Sequence, residues 1–158
     1  MLKLASVLII ACAATGAAQT FERAGQDIHQ RIVGETAKGE VVLIAPVGRY
    51  ADVKLSADKK TVSWRATAEF LDPTTNRFET VSYRIGWYRN GRLHAYVAPD
   101  ERFIRDAWLV DSGRRIGVNY GGLHFSGTNV LLDTSTGKLI ASFADADKTK
   151  KAVPAWVR

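Results

Sequence analysis

Three histidines are the side chains of this chain best suited to proton transfer or metal binding, and they stand at positions 29, 94 and 124. No two of them share a helical or alternating-strand spacing, so the sequence predicts no metal site and no cofactor. His94 lies among aromatic residues, where a packed and hydrogen-bonded core histidine is the usual outcome. His124 lies in the glycine-flanked stretch YGGLHFSG, and loops of this kind carry function more often than strands do.

Motifs for nucleophilic catalysis are missing from the sequence. It has no Gly-x-Ser-x-Gly elbow, and its single cysteine, Cys12, leaves the rest of the chain without a disulfide or a thiol nucleophile. Most acidic residues fall in predicted turns or on polar strand faces, where a solvated carboxylate is expected. One enzymatic alternative stays open, which is a small secreted hydrolase that uses His124 with a carboxylate, Asp111 being the candidate.

Arginine and aromatic residues recur together in the second half of the chain, and these residue types anchor protein interfaces. An Asn90-Gly91 hairpin would place Arg89 opposite Arg92, and the repulsion between two such cations favours an acidic partner. A solvated hairpin tip is the alternative explanation. The predicted binding residues are Tyr88, Arg89, Arg92, Arg114, Arg115, Tyr120 and His124.

The N-terminal segment has the layout of a signal peptide. Lys3 precedes an uncharged apolar run that is too short to span a bilayer, and small residues follow it at 16–18. We therefore expect a signal peptide over 1–18 and a single mature domain over 19–158, periplasmic or secreted. The stretch LIIAC resembles the bacterial lipoprotein box, so lipid anchoring through Cys12 is the alternative.

The formal net charge of the chain is +6, carried by scattered lysines and arginines. Excess positive charge attracts anionic partners through long-range fields, whereas export argues against nucleic acid. The predicted partner is a protein or an anionic envelope ligand, with membrane contact only through the lipid anchor. The alternative is that these cations keep a β-rich protein soluble and protect its sheet edges.

Hydrophobic spacing predicts one short helix and then strands. Apolar residues recur at spacings of three and four after Thr20, which predicts a helix over 21–33. Beyond residue 40 the period becomes two. The dipeptide Asn90-Gly91 suits a type I′ turn, and the resulting register places Trp87 opposite His94 and Ile85 opposite Tyr96.

Two pairs of segments repeat with an offset of about 50 residues. DVKLSADKKTVSW (52–64) matches DAWLVDSGRRIGV (106–118), and WYRNGRLHAYV (87–97) matches LLDTSTGKLIASF (131–143). These matches predict a four-stranded antiparallel meander near 47–98 and another near 102–143. A charged tail follows over 144–158, and Trp156 is expected to pack back on the body.

The order of features in LSADKKTVSW, LVDSGRRIGV and LLDTSTGKLI resembles single β-propeller blades of the TolB-like or WD40-like kind. We expect a family of exported bacterial proteins built on two such repeats. A propeller needs about four blades to close, so two blades must cover each other's apolar faces. The predicted fold is mainly β, with two four-stranded antiparallel meanders packed as a sandwich or an incomplete propeller, and one short N-terminal helix.

These inferences lead to one favoured function and two alternatives. The favoured function is an exported cell-envelope binding protein without catalytic activity, of the inhibitor or immunity type. The first alternative is the small secreted hydrolase with His124. The second is a structural subunit of an envelope complex, in which a second copy or a partner completes the open sheet edges.

Overall fold

The computed structural model describes residues 19–44, 48–100, 102–122 and 126–158. Cys12 and the predicted signal peptide over 1–18 lie outside these ranges, and so does His124. Within them the protein is mainly β, with antiparallel pairing, no α-helix and no closed barrel. No helix of the described part is long and apolar enough to cross a membrane.

The described residues form eleven strands, which are arranged in two sheets. The first sheet has three strands in the order β1-β2-β3, and the second has eight, in the order β11-β10-β9-β8-β6-β5-β4, with β7 also paired to β6. The strands are β1 (Arg23–Gln26), β2 (Ile32–Thr36), β3 (Gly39–Ile44), β4 (Arg49–Leu55), β5 (Thr61–Asp72), β6 (Arg77–Arg89), β7 (Arg92–Val97), β8 (Phe103–Val110), β9 (Arg115–Gly121), β10 (Thr128–Asp133) and β11 (Leu139–Ala144).

The predicted helix over 21–33 is wrong, because this segment forms β1, a turn and the start of β2. Asp27 closes the turn by accepting hydrogen bonds from the backbone N–H groups of His29 and Arg31, both at 2.9 Å. The spacing of the apolar residues in this segment is compatible both with a helix and with two strands joined by a turn. Sheet pairing satisfies the backbone here, while Phe21 and Ile32 are buried and Ile28 is left 92% exposed.

The eight-stranded sheet pairs its strands mostly in chain order. Within 49–97 the pairs are β4–β5, β5–β6 and β6–β7, and within 103–144 they are β8–β9, β9–β10 and β10–β11. A bridge between Ser82 and Ile104 joins the two halves into one sheet. The hairpin register predicted from Asn90-Gly91 is confirmed, with Trp87 opposite His94.

One hydrophobic cluster lies between the two halves of this sheet. Trp87 from β6 packs in it with Ile116 and Val118 from β9 and with Val130 and Leu132 from β10. The indole N–H of Trp87 donates to the carbonyl of Thr134 at 2.9 Å, so the polar atom of the buried ring is satisfied. The inner faces of the two halves therefore share one core.

Candidate functional site

The candidate site is built by four turns that meet at one end of the eight-stranded sheet. The N–H of Asp58 donates to the carbonyl of Ser112 at 3.3 Å, and the N–H of Thr134 donates to the carbonyl of Arg114 at 3.0 Å. These bonds join turns that lie far apart in the sequence. The turns connect β4 to β5 (56–60), β6 to β7 (90–91), β8 to β9 (111–114) and β10 to β11 (134–138).

Gly113 is the residue on which the turns converge. Its carbonyl accepts hydrogen bonds from the hydroxyls of Thr61 and Thr134, both at 2.8 Å, and from Nη1 of Arg89 at 3.3 Å. Its φ is +95°, and a Cβ there would lie 2.2 Å from the Cβ of Ser56. Both facts require glycine at this position.

Arg89 is buried beneath this end of the sheet rather than exposed at a hairpin tip. Its side chain is 8% exposed, and its Nη2 lies 2.9 Å from Oδ2 of Asp58. Burial raises the pKa of the Asp58 carboxyl, but hydrogen bonds from Arg89, Ser56 and Lys60 lower it more, so the pKa lies below its usual value. Of the two arginines predicted at the hairpin tip, Arg89 is therefore buried and structural, whereas Arg92 is exposed.

Cations surround this buried pair at the surface. All but the half-buried Lys60 are exposed, and we call the group the basic end; it consists of Lys59, Lys60, Arg92, Arg114, Arg115 and Lys138. Its four turns also carry acids, but these acids already hold partners. Asp111 pairs with Arg115 at 3.1 Å, and Asp133 accepts the N–H groups of Ser135 and Thr136 at 2.9 and 2.8 Å.

The two predicted binding tyrosines, Tyr88 and Tyr120, lie away from the basic end, and His124 lies outside the described residues. Tyr88 points to the opposite face of the sheet, where its hydroxyl lies 2.9 Å from Oε1 of Gln19 and its ring packs edge-on against Phe21. Tyr120 is buried at the far end of β9 beside Tyr96, whose pKa is raised by burial and by its contact with Tyr120. Among the predicted binding residues that the structure describes, it thus brings together the arginines, which are Arg89, Arg92, Arg114 and Arg115.

His94 is the packed histidine that its aromatic neighbours predicted. Its ring stacks on Trp87, with centroids 5.5 Å apart and an interplanar angle of 17°. Burial lowers the pKa of His94, and the nearby charge of Arg92 lowers it further, while Asp133 and a backbone hydrogen bond with Ser135 oppose this shift. The neutral imidazole is therefore favoured at neutral pH, and the ring contributes packing to the basic end.

Asp111 is the carboxylate of the enzymatic alternative, and its partner in that alternative, His124, lies outside the described residues. Asp111 precedes β9, whereas Gly122, the last described residue before that position, follows the other end of the same strand. The strand has seven residues, so its ends are roughly 20 Å apart. No group of three His, Cys, Asp or Glu side chains within the described ranges can hold a metal ion.

A groove of about 390 Å³ lies at some distance from the basic end, between β5, β6 and β8. Arg65 and Arg105 both line it, but each already has partners. Arg65 forms an ion pair with Asp52 and donates to the carbonyl of Arg105, and Arg105 donates to the carbonyl of Gly122. The arginines of this groove therefore serve the packing of β8 onto the first half of the sheet.

Sequence reasoning missed three lysines of the basic end and the polar network beneath them. Lys59, Lys60 and Lys138 belong to the scattered cations of the sequence, and none of them was among the predicted binding residues. The only signal was the similar placement of Asp58 and Asp111 in the matched segments 52–64 and 106–118, and these two aspartates lie in turns that the structure places in contact. Nothing local in the sequence indicates that these turns meet.

No family model, curated protein or solved structure matches the chain. The class of the protein is therefore defined by its own fold and site, as an antiparallel β protein with clustered cations at one end. The acids within this cluster hold ion pairs or accept hydrogen bonds within turns.

Proposed function

We propose that the protein is an exported cell-envelope binding protein that acts without catalysis, and that its basic end binds an acidic surface of a protein partner. One observation carries this proposal, namely the convergence of cations that lie in or directly beside four turns at one end of the sheet. An inhibitor or immunity-type binder is the form of this function that we favour.

Rigidity of the underlying network supports a binding role. The ion pair of Arg89 with Asp58 and the three hydrogen bonds to the Gly113 carbonyl hold the turns in place before any partner arrives. A preorganised surface loses less conformational entropy on association, and a field of one sign accelerates encounter with an oppositely charged partner. The surface cations can therefore steer and orient an acidic protein.

The distribution of the cations favours a protein surface over a linear polymer. They come from the ends of both halves of the sheet, which share one hydrophobic cluster, so they form a compact patch rather than a track along one strand. Sheets that pack in this way are about 10 Å apart. A patch two sheets wide fits a compact acidic surface of similar dimensions.

Capture from periplasmic and envelope extracts with the mature chain tests the proposal. The basic-end variant carries Arg92→Glu with Lys138→Glu, and the control carries Lys38→Glu with Lys150→Glu at exposed positions elsewhere. Both variants lower the net charge equally. We expect a protein retained by the wild type and the control, lost by the basic-end variant, and released by salt. Equal retention by all three proteins, or no captured protein, would contradict the proposal.

We also propose that residues 49–97 and 103–144 are two copies of one blade-like repeat. In each half, consecutive strands pair in chain order, and Trp64 and Ile116 both lie in the second strand of their half. An experimental structure tests this by superposition of the two halves. Strands that follow one another in equivalent places support it, whereas a different path of any strand argues against a repeat.

A further inference from the structure

The hairpin of β5 and β6 extends beyond the rest of the eight-stranded sheet. β4 pairs with β5 only as far as Thr67, and the other side of β6 is paired by β7 from Arg84 onward and by β8 at Ser82. Residues 68–81, which we call the arm, therefore pair only with each other among the described strands. The outer backbone groups of the arm are open to a further strand.

The arm is an ordered ribbon because its turn is closed by Asp72. This residue is 1% exposed, and its carboxylate accepts the N–H of Thr74 at 2.8 Å and the hydroxyl of Thr75 at 2.9 Å. Its carbonyl accepts the N–H of Asn76 at 2.8 Å. A strand added to this edge would meet a preformed template.

Two large apolar side chains lie exposed on one face of the arm. Phe78 is 72% exposed and Leu71 is 45% exposed, and the two residues are direct cross-strand partners. Burying a phenylalanine is worth roughly 2 kcal/mol, so leaving it in water is costly. An occupant that covers Phe78 would remove this cost.

The charges of Arg77 and Glu79 favour one binding partner for the edge strand β6 of the arm, which is β6 of a second copy of the chain. When β6 pairs antiparallel with β6 of a second copy and Phe78 faces Phe78, each Arg77 faces a Glu79 of the other copy. Neither Arg77 nor Glu79 holds an ion pair among the described residues. Moving the two-fold axis by one residue would instead place Arg77 opposite Arg77, or Glu79 opposite Glu79.

We propose that the arm is a homodimerisation edge, in which β6 of two copies pairs antiparallel about a two-fold axis at Phe78. Leu71 and Phe78 of both copies then form one apolar row across a four-stranded ribbon, with the two Arg77–Glu79 pairs on its other face. Opposite charges facing each other across strands add specificity to the register. The contact is short, so we expect a weak and concentration-dependent dimer.

This dimer would hold the two basic ends far apart. Arg89 lies eleven residues beyond Phe78 on β6, so each basic end is roughly 37 Å from the two-fold axis and the two are roughly 75 Å apart. The inference does not depend on the proposed function of the basic end. If both are right, the protein binds its partner bivalently, with a gain in avidity.

Sedimentation equilibrium of the mature chain with two single variants tests the dimer. Arg77→Glu sets glutamate against Glu79, and Glu79→Arg sets arginine against Arg77, so each variant alone should associate roughly tenfold more weakly than the wild type. An equimolar mixture restores both attractive pairs and should associate as tightly as the wild type. Both positions lie on the arm surface, and circular dichroism checks that the variants fold.

Two results would overturn the proposal. One is a wild-type chain that stays monomeric up to roughly 1 mM, even if the arm binds some other protein. The other is association that does not follow the Arg77 and Glu79 charges, seen either as a wild-type dimer that both variants preserve or as a variant mixture that remains monomeric while each variant is folded. Arg92→Glu serves as the charge control, because it lies at the basic end and should leave the association constant unchanged.

Discussion

Each half of the eight-stranded sheet has a tryptophan packed over a glycine of the neighbouring strand, and a different part of the chain covers it in each half. In the first half, Trp64 lies over Gly86 of the neighbouring strand, and in the second half Trp108 lies over Gly117. Each tryptophan points away from the shared core and must be covered from outside. The three-stranded sheet covers Trp64, and Phe21 belongs to the same hydrophobic cluster. The C-terminal tail covers Trp108.

The difference between the covers concerns how firmly each is held. Phe21 and Ile32 are fully buried against the first half, and strand pairing fixes the segments that carry Ile32. The tail contacts Trp108 through the carbonyl of Trp156, at 2.9 Å from the indole nitrogen, and through the guanidinium of Arg158 over the ring at 5.6 Å. A sheet transmits strain to its core, whereas a tail held by few contacts can move aside.

The largest expected effect concerns the network that joins the halves. Arg89→Met removes the guanidinium that pairs with Asp58, which leaves the partly buried carboxylate without its cation, and it also removes one of the three donors to the Gly113 carbonyl. We expect a loss of about 3 kcal/mol in the free energy of unfolding, measured by urea denaturation. Arg92→Met, at the exposed partner position of the same hairpin, should cost less than about 0.5 kcal/mol. Equal losses would show that the buried pair adds no stability.

The next effect tests the firmly covered tryptophan. A Cβ at position 86 would lie 2.7 Å from the ring of Trp64, which is 2% exposed and has no space to shift. Gly86→Ala should therefore lower the free energy of unfolding by about 2 kcal/mol. Gly25→Ala is the matched control in a strand, because a Cβ there meets nothing within 4 Å. A cost at position 86 no larger than that at position 25 would contradict the close approach.

Gly117→Ala tests the loosely covered tryptophan and sharpens the comparison. The clash is nominally closer, at 2.3 Å from the ring of Trp108, yet the tail can yield, so we expect a smaller cost of about 1 kcal/mol. Deleting residues 154–158 should reduce this cost further, and a double-mutant cycle measures the coupling. A cost larger than that of Gly86→Ala would mean that the tail is as rigid a cover as the sheet.

The smallest effect is the acid sensitivity of the second half. Asp145 is partly buried, which raises its pKa, but hydrogen bonds from Lys148, Asn129 and Asn119 lower it more, to about 2. Because the folded pKa is below the ordinary value of 3.8, its stabilisation is complete above pH 4 and is lost as the pH falls towards 2.

Asp145→Asn should therefore lower the free energy of unfolding at pH 7 by about 1 kcal/mol, after allowance for solvent screening. Its unfolding free energy should also fall less between pH 4 and pH 2 than that of the wild type. Urea denaturation at these pH values measures both quantities. A parallel pH dependence of the two proteins would assign the acid sensitivity to other carboxylates.

Local signals predicted part of this fold well. Asn90 and Gly91 both adopt positive φ, as a type I′ turn requires, so the register of the whole hairpin followed from two residues. The period of two beyond residue 40 likewise marked the strand around Trp64, although β5 is buried on both faces over residues 61–64. In contrast, the spacing of Phe21 and Ile32 fitted a helix equally well, and only pairing with neighbouring strands decides between the two.

The candidate site was only half predictable for a related reason. Arg92, Arg114 and Arg115 were chosen by residue type, and they do lie at the basic end. Arg89 was expected beside them at the surface, but its partner Asp58 is 31 residues away in the sequence. A partner at that distance leaves no mark on local composition, so burial of the guanidinium could not be anticipated.

The sequence by itself determined the strands of the eight-stranded sheet, the turn at Asn90-Gly91 that requires positive φ, and the positive charge of the chain, because each depends on residue types or on residues close together along the backbone. The tertiary structure alone decided which turns meet at Gly113, which cation is buried, and which tryptophan receives which cover. These outcomes depend on contacts between distant segments, whose free energy is gained only when the two halves of the sheet close on one another.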